Sequence, residues 1–320
     1  MRFGVAIPTD RVDAPEDFLS PDGVAAIALA AEEAGFESAY VTDHPFPVQR
    51  WLDGGGHHAL DPFVVLSFAA AATTTLRLQT HILVLGYRNP FLLAKSILSL
   101  DVLSRGRLVV GVGAGYLRGE FEALGATFEG RGRLAAEALE ALKTALAEED
   151  VRVSGDGFEA RGNTMLPRPV QRPCPPLWMG GNSRPAIRRA IDHCTGWLPF
   201  PNTAAMAKFT RTPALENDED LLSGLRYAES YAREVGRETR LQIGYSLESM
   251  AGAERTMPDY CERSQSLADI GVDWLAVGFP DSSRSSYIDA IRRFGDEVIA
   301  KIEPGEAPVL SAPTGTEVKP

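Results

Sequence analysis

The sequence predicts a single (β/α)8 TIM barrel, in which eight parallel strands close into a ring surrounded by helices. Short runs rich in β-branched residues alternate eight times with longer stretches whose apolar residues have helical spacing. The strand candidates are almost continuously apolar, as parallel strands covered on both faces must be. Pro8, Thr9 and Asp10 follow the first strand candidate. The glycine fingerprint typical of the alternative, a doubly wound sheet, is missing there.

The elements follow one another in a regular order along the chain. The strand candidates are residues 3–8, 38–42, 76–85, 107–112, 177–180, 197–199, 241–247 and 274–279. The helix candidates are residues 21–34, 62–73, 91–103, 131–147, 185–194, 218–235, 258–270 and 285–300. Pro21 and Pro185 stand in first turns, where proline loses no hydrogen bond, and Gly35 and Gly271 stand where a helix end favours a left-handed residue.

Two stretches interrupt this alternation. Residues 148–176 contain VRVSGDGFEARG, which predicts a small β-hairpin inserted after the fourth unit, and a proline-rich return. Residues 201–217 are predicted to be a longer loop after the sixth strand, on the side where barrel loops build active sites. We expect the barrel to span residues 1–302 and the proline-rich tail, residues 303–320, to be disordered.

Composition limits the class of partner and the compartment. The 32 basic and 43 acidic side chains give a net charge of −11, which argues against a nucleic-acid surface. The three cysteines, Cys174, Cys194 and Cys261, are too few and too scattered for a disulfide framework or a zinc site, which favours a reducing compartment. The sequence shows no secretory signal and no apolar run of about 18 residues. We therefore expect a soluble cytoplasmic protein that acts on a small molecule and holds no metal.

In a barrel, functional groups are expected at the carboxyl ends of the strands. Asp43 and His44 follow the second strand, and histidine exchanges protons near neutral pH. The alternative is that Asp43 caps the turn before Pro45 and His44 only packs.

Glycines mark two further strand ends. The run Gly113-Ala114-Gly115 lets a flat ligand or a phosphate approach the backbone, although a tight turn uses the same pattern. Gly180-Gly181 leads through Asn182 and Ser183 into a helix, so free N–H groups there predict a phosphate site, or simply a well-capped helix.

The other histidines suggest structural roles. His81 lies inside an apolar strand, which favours a hydrogen-bonded core residue. His57 and His58 follow three glycines and lack a third ligand for a metal, so a mobile loop is expected there. His193 falls on a helix.

Taken together, these motifs resemble the bacterial-luciferase-like flavin and deazaflavin barrels, the luciferase-like monooxygenase superfamily, over roughly residues 1–300. The matching segments are SAYVTDH at 38–44, LRLQTHILVLGYRNPFLLAKSILSLDVLSRGRLVVGVGAGY at 76–116, EFEALG at 120–125 and PRPVQRPCPPLWMGGNSRPAIRRA at 167–190. The short chain without long insertions is most similar to the branch that uses coenzyme F420, a 5-deazaflavin.

The resemblance implies roles for the positions already singled out. His44 would donate a proton or stabilise charge near the ring, and Asp43 would contact the deazaflavin. The peptide between His81 and Ile82 would be cis and would support one face of the ring. The remaining implied cofactor contacts are Val84, Ala114, Gly115, Gly180, Gly181 and, at the phosphate, Asn182.

One departure from the family pattern bears on the substrate. The sugar-phosphate dehydrogenases of this branch carry a glutamate directly after the Gly-x-Gly turn and an asparagine three residues later, where this chain has Tyr116 and Gly119. Tyr116 is then a candidate hydrogen-bond or proton donor, but its ordinary pKa near 10 makes it a poor base at neutral pH. Activity on a sugar phosphate is therefore not carried over to this chain.

These observations predict an oxidoreductase that transfers a hydride between coenzyme F420 and an unidentified small organic substrate. Two alternatives stay open: a monooxygenase that uses reduced flavin mononucleotide (FMN), and a barrel that binds a flavin or deazaflavin without turnover. Arg184 or Arg188 would supply cations for the cofactor's acidic tail. The resemblance also implies a homodimer, formed through the alanine-rich face of residues 63–72, whereas loops 46–59 and 201–217 would select the substrate.

Overall fold

Eight parallel strands close into a barrel, which confirms the predicted fold class and excludes the doubly wound sheet. The computed structural model describes residues 1–247, 255–280 and 282–302. The strands are β1 (Arg2–Ala6), β2 (Ser38–Val41), β3 (Arg77–Val84), β4 (Leu108–Gly113), β5 (Val151–Gly155), β6 (Phe158–Asn163), β7 (Leu177–Gly180), β8 (Gly196–Leu198), β9 (Gln242–Ser246) and β10 (Trp274–Val277). The barrel order is β1-β2-β3-β4-β7-β8-β9-β10, and β10 pairs with β1. Strands β5 and β6 form the predicted antiparallel hairpin outside the barrel.

Helices surround the barrel. They are α1 (Pro15–Phe18), α2 (Pro21–Glu33), α3 (Gln49–Asp53), α4 (Pro62–Ala72), α5 (Pro90–Leu103), α6 (Arg118–Ala123), α7 (Arg131–Ala147), α8 (Arg184–His193), α9 (Ala204–Thr210), α10 (Asp218–Glu234), α11 (Met257–Asp269) and α12 (Arg284–Glu297). Side-chain caps start many of them, and the predicted left-handed glycines are present, with φ of 83° at Gly35 and 99° at Gly271.

The segment of residues 201–217 differs from the expected plain loop. It contains α9 and is closed by an antiparallel bridge between Asn202 and Leu215. The side chain of Thr203 caps α9 by accepting a hydrogen bond from the Met206 amide. A helix of seven residues is too short to show apolar periodicity, so the sequence pattern did not reveal it.

A plug of large side chains fills the barrel interior. Trp178 and Trp274 meet edge to face with centroids 5.2 Å apart, and Val109 and Leu198 complete the cluster. Ile82 packs on this cluster from above. The plug therefore places the floor of the barrel mouth at Ile82, near the carboxyl end of β3.

Within residues 1–247, 255–280 and 282–302, no helix is long and apolar enough to cross a membrane. Residues 303–320, for which disorder was predicted, lie outside the described residues.

Candidate active site

A cavity of about 610 Å³ opens at the carboxyl ends of the barrel strands. All but one of the predicted site residues line it: Asp43, His44, His81, Ile82, Val84, Ala114, Gly115, Tyr116, Gly180 and Gly181. The exception is Asn182. The side-chain amide of Asn182 donates to the carbonyl oxygens of Phe200 and Pro213 at 2.9 and 3.1 Å, and its oxygen accepts from the Phe200 amide at 3.0 Å. Asn182 thus fastens the segment after β8 and is not among the residues that line the cavity, so its contact with the cofactor phosphate stays a prediction.

The floor of the cavity is built by β3. The peptide between His81 and Ile82 is cis, as the resemblance implied, and the pairing of β3 with β4 shifts register between Thr80 and Leu83. His81 is held by a contact of 3.2 Å between its Nε2 and the hydroxyl of Ser246. His81 therefore lines the cavity and is also hydrogen-bonded within the barrel, as expected for a core residue, while its contact with a cofactor stays a prediction.

Glycines are needed around this floor because Ile82 fills the space beside them. A Cβ added at Gly113 would lie 2.2 Å from Ile82 Cδ1, and one at Gly180 would lie 2.8 Å from the same atom. The glycines at these strand ends therefore keep room for the Ile82 side chain under the cavity.

Asp43 lines the cavity, but its carboxylate is held by protein groups. Arg88 donates to both carboxylate oxygens at 2.6 and 2.8 Å, and the Val84 amide donates at 3.2 Å. Burial alone would lower the pKa of Arg88, yet its bonds to Asp43 leave that pKa raised. The charge of the Asp43 carboxylate is thus compensated by Arg88, and a contact of Asp43 with a cofactor stays a prediction.

His44 contacts a buried carboxylate that sequence reasoning did not single out. Its Nδ1 lies 3.2 Å from Oε2 of Glu120, which is fully buried on α6. The hydroxyl of Tyr87 donates to the same oxygen at 2.7 Å, and the amide of Phe46 donates to Oε1 at 3.3 Å. Glu120 stood in the EFEALG match, but no local pattern linked it to a histidine 76 residues earlier.

Aromatic rings surround the other sides of His44. Trp51 and His57 approach it with centroids 4.5 and 4.9 Å away, and Tyr116 lies at 6.2 Å. His57, which lies in the loop predicted to select the substrate, lines the cavity. Burial, reinforced by the charge of Glu120, raises the pKa of Tyr116 to about 12. Tyr116 therefore keeps its proton at neutral pH and is suited to donate a hydrogen bond.

Three arginines line the opposite end of the cavity: Arg131, Arg189 and Arg211. Nε of Arg131 donates to the Gly115 carbonyl at 2.8 Å, and Arg189 donates to the Gly132 carbonyl at 3.3 Å. Within the described ranges, none of the three has a carboxylate at ion-pair distance. Burial is the main cause that lowers the pKa of Arg131 and of Arg189, and for Arg131 the nearby Arg211 charge adds to it. This end of the cavity therefore carries positive charge that is partly desolvated at Arg131 and Arg189, whereas Arg211 is exposed.

Backbone groups support the same end. Gly181, with φ of 118°, lies between β7 and α8, whose first turn lines the cavity at Pro185 and Ala186. The 17-residue helix α7 begins beside Arg131 with no side-chain cap at Gly130. Two helix N-termini and three guanidinium groups thus converge, which is the chemistry of an anion site.

The cations expected for the cofactor's acidic tail, Arg184 and Arg188 of α8, do not line the cavity, whereas Arg189 of the same helix does. Arg184 packs over the ring of Tyr227 at 4.9 Å, and Nε of Arg188 donates to the Tyr227 hydroxyl at 2.6 Å. Both arginines lie on the side of α8 that faces α10, away from the cavity lining. Helical periodicity could have indicated Arg189. It lies three residues after Ala186, so it shares the face of α8 whose first turn lines the cavity.

Fold and site together define a closed parallel barrel with a cavity at its carboxyl face that three arginines line at one end. The chain belongs to the luciferase-like monooxygenase family, whose model matches residues 1–214. Among the residues that the structure describes, no group of His, Cys, Asp or Glu side chains is arranged to hold a metal ion.

Relatives and structural neighbours carry two cofactor chemistries in their names. The F420-dependent glucose-6-phosphate dehydrogenase of Amycolatopsis mediterranei is 24% identical over 301 residues, which cover 84% of this chain and 86% of the relative. The FMNH2-dependent dimethylsulfone monooxygenase of Pseudomonas putida is 34% identical over 175 residues, 53% of this chain and 46% of the relative. The structure of the coenzyme F420-dependent tetrahydromethanopterin reductase of Methanopyrus kandleri superposes with a TM-score of 0.70 at 18% identity, covering 94% and 99% of the two chains. That structural likeness shows the shared fold.

Proposed function

We propose that this chain is an oxidoreductase that transfers a hydride between coenzyme F420 and a small organic substrate. The observation that carries the proposal is the cluster of Arg131, Arg189 and Arg211 at the end of the cavity where Gly180 and Gly181 meet α8. Coenzyme F420 carries a phosphate followed by a glutamate tail, whereas FMN ends in a single phosphate. A cluster of three cations that have no carboxylate partner among the described residues favours the ligand with more negative charge.

The residues present fit such a group. The glycines at 113, 115 and 180 line the same cavity as Ile82, and their missing side chains leave the backbone open to a flat ring. When bound, coenzyme F420 supplies two-electron hydride chemistry. The chain contributes the anion end that would hold the phosphate and tail, and His44, which would manage the proton that accompanies the hydride.

The proton chemistry falls to His44 and not to Tyr116. A group whose pKa is raised to about 12 gives up its proton too rarely at neutral pH to act as a base. Tyr116, whose ring centroid lies 6.2 Å from that of His44, would instead donate a hydrogen bond to a substrate oxygen next to the histidine.

One titration tests the proposal. Purified protein is titrated with coenzyme F420 and, separately, with FMN, and binding is followed by the fluorescence of each cofactor. Tighter binding of coenzyme F420 is expected. Tighter binding of FMN, together with oxygen consumption when reduced FMN is supplied, would move the assignment to the monooxygenase chemistry printed for the Pseudomonas putida relative.

The non-catalytic barrel remains the second candidate, because Tyr116 occupies the position where the resemblance implies an acid. Cofactor binding without turnover across a panel of alcohols, ketones and enones would support it. The cytoplasm is the proposed location, since the chain has few and scattered cysteines.

A homodimer is also part of the proposal. The outer faces of α4 and α5 expose Val64, Phe68, Leu92 and Leu103, with 57%, 48%, 71% and 72% of each residue accessible. Large apolar side chains grouped on neighbouring helices are typical of a surface that a second subunit covers.

A further inference from the structure

One short turn holds both residues of the Asp43-His44 pair. The turn comprises residues 85–88 directly after β3. Arg88 binds the Asp43 carboxylate through two hydrogen bonds, and Tyr87 donates to the Glu120 oxygen that contacts His44. The turn after β3 therefore holds the carboxyl end of β2 in two ways. Arg88 binds Asp43 directly, and Tyr87 acts on His44 through Glu120 of α6.

We infer that Glu120, held by Tyr87, is a positioning residue that fixes His44 as the Nδ1–H tautomer and leaves Nε2 to exchange a proton with the substrate. The exchange with substrate rests on the proposed function, whereas the tautomer does not. Glu120 touches no reacting atom in this scheme and acts only through His44.

The donor and acceptor inventory around Glu120 supports this assignment. An ionised carboxylate only accepts hydrogen bonds, and the Tyr87 hydroxyl and the Phe46 amide both donate to it. Burial first, and then the bond to Glu120, raise the pKa of Tyr87 well above its usual value, so Tyr87 stays a donor. Nδ1 of His44, 3.2 Å from the same carboxylate, then completes the set as a third N–H or O–H donor.

The surroundings of His44 leave its other nitrogen for the cavity. Trp51, His57 and Tyr116 meet the imidazole as rings, and within the part of the chain that is described no protein group is hydrogen-bonded to Nε2. The titratable groups that face His44 are Glu120, His57 and Tyr116. The carboxylate of Asp43, the adjacent residue, is neutralised by Arg88 and does not compete for the imidazole.

The proton balance follows from this arrangement. When a substrate gains a hydride from reduced coenzyme F420, one proton passes from Nε2 of the His44 imidazolium to the substrate, and a neutral imidazole with its proton on Nδ1 remains. In the opposite direction Nε2 of that neutral ring accepts the proton. Glu120 exchanges no proton in either direction, and its carboxylate lies against Nδ1 when the imidazolium forms.

The test is nuclear magnetic resonance of the full chain labelled with 15N-histidine, recorded without cofactor. Long-range 1H–15N correlations distinguish the two neutral tautomers, and the signals that disappear in a His44→Gln variant identify His44 among the five histidines. The wild-type ring is expected to be predominantly Nδ1–H. In Glu120→Gln, which loses a charge-assisted hydrogen bond, the ratio of the tautomers should shift toward Nε2–H by about 10-fold or more.

Two further variants separate positioning from folding. Glu122→Gln lies on the same short helix but is exposed, and should leave the His44 spectrum unchanged. Tyr87→Phe removes one donor to Glu120 and should change the tautomer ratio less than Glu120→Gln does.

A wild-type ring that is predominantly Nε2–H would overturn the inference whether or not any variant folds. A folded Glu120→Gln protein with an unchanged tautomer ratio would overturn it as well. If coenzyme F420 fails to bind but the Nδ1–H tautomer is found, the proposed function fails and the positioning role of Glu120 stands. Because Glu120 acts through His44, Glu120→Gln should leave the dissociation constant of coenzyme F420 unchanged.

Discussion

Replacing Arg189 by methionine should weaken cofactor binding while leaving the protein at least as stable. Arg189 lines the cavity, its only described hydrogen bond is a long one to the Gly132 carbonyl at 3.3 Å, and its Nε is buried without a partner. Burial lowers the pKa of this guanidinium, so the charged form is destabilised in the protein without ligand. Methionine keeps an unbranched, flexible apolar stem and removes that desolvated charge.

The magnitude follows from the missing interactions. A hydrogen bond to a charged group contributes about 1.5–3 kcal/mol, and each 1.4 kcal/mol is about a tenfold change in the dissociation constant. Arg189→Met should therefore raise the dissociation constant of coenzyme F420 by about 10- to 100-fold. The midpoint of thermal unfolding without cofactor should stay equal or rise, since a half-buried cation without a carboxylate partner among the described residues is lost.

The assay pairs fluorescence titration with thermal unfolding, and the control is Arg184→Met. Arg184 begins the same helix but packs on Tyr227 outside the cavity, so its loss should leave the cofactor affinity unchanged. An affinity that falls equally in both variants would mean that general loss of positive charge is responsible. An unchanged affinity in Arg189→Met would remove this arginine from the anion site.

Four further predictions follow from single contacts. His44→Ala should sharply reduce turnover and leave coenzyme F420 affinity mostly intact, measured by steady-state kinetics and fluorescence titration. Gly113→Ala should weaken cofactor binding by about 1–3 kcal/mol, because the added Cβ would lie 2.2 Å from Ile82 Cδ1 and would push the Ile82 side chain up into the cavity. Glu32→Gln should lower the free energy of unfolding at pH 7 by roughly 2 kcal/mol, discounted for partial exposure, and the difference should disappear as the pH falls toward 2. Phe68→Glu should convert a dimer into monomers in light scattering, because a charge would replace a large apolar contact on α4.

The sign of the Glu32 prediction comes from its hydrogen bonds. Burial would raise the pKa of Glu32, but donors from three consecutive residues, Thr74, Thr75 and Leu76, outweigh it and lower the pKa to about 2. A depressed pKa in the folded state gives stability that is present above the unfolded value near 4.5 and lost as the pH falls through the folded value. Glu33→Gln, at an exposed neighbour, is the matched control. A Glu32→Gln difference that persists at low pH would show that its cause is not ionic.

For the other predictions, the opposing results are equally specific. Unchanged turnover in His44→Ala would remove that histidine from the mechanism. Unchanged cofactor affinity in Gly113→Ala would mean that Ile82 does not contact the ring. A Phe68→Glu protein with the mass of two chains would place the dimer interface elsewhere.

The sequence predicted the barrel and most of the cavity because both depend on local signals. Strands, helices and glycine turns have periodicity and composition, and the barrel architecture then brings all strand ends to one face. His44 and Gly180 were found in this way. Glu120 was not, since its role depends on a contact with a residue 76 positions away. Arg189 was missed for another reason. Helix α8 contains three arginines, and the sequence does not show which face of the helix is turned toward the cavity.

An acidic chain can still bind a polyanion, because binding depends on the local arrangement of charge and not on its sum. The net charge of −11 is a sum over the whole chain, and many of its carboxylates are compensated locally, as Asp218 is by Arg263. At the anion end, three arginines line one cavity without a described carboxylate partner, and burial lowers the pKa of two of them, Arg131 and Arg189, so an entering anion would stabilise their charged form. The rest of the surface repels the same anion at long range, where solvent and salt screen the effect. The favourable term acts over a few ångströms in a partly buried pocket, so it outweighs the screened repulsion.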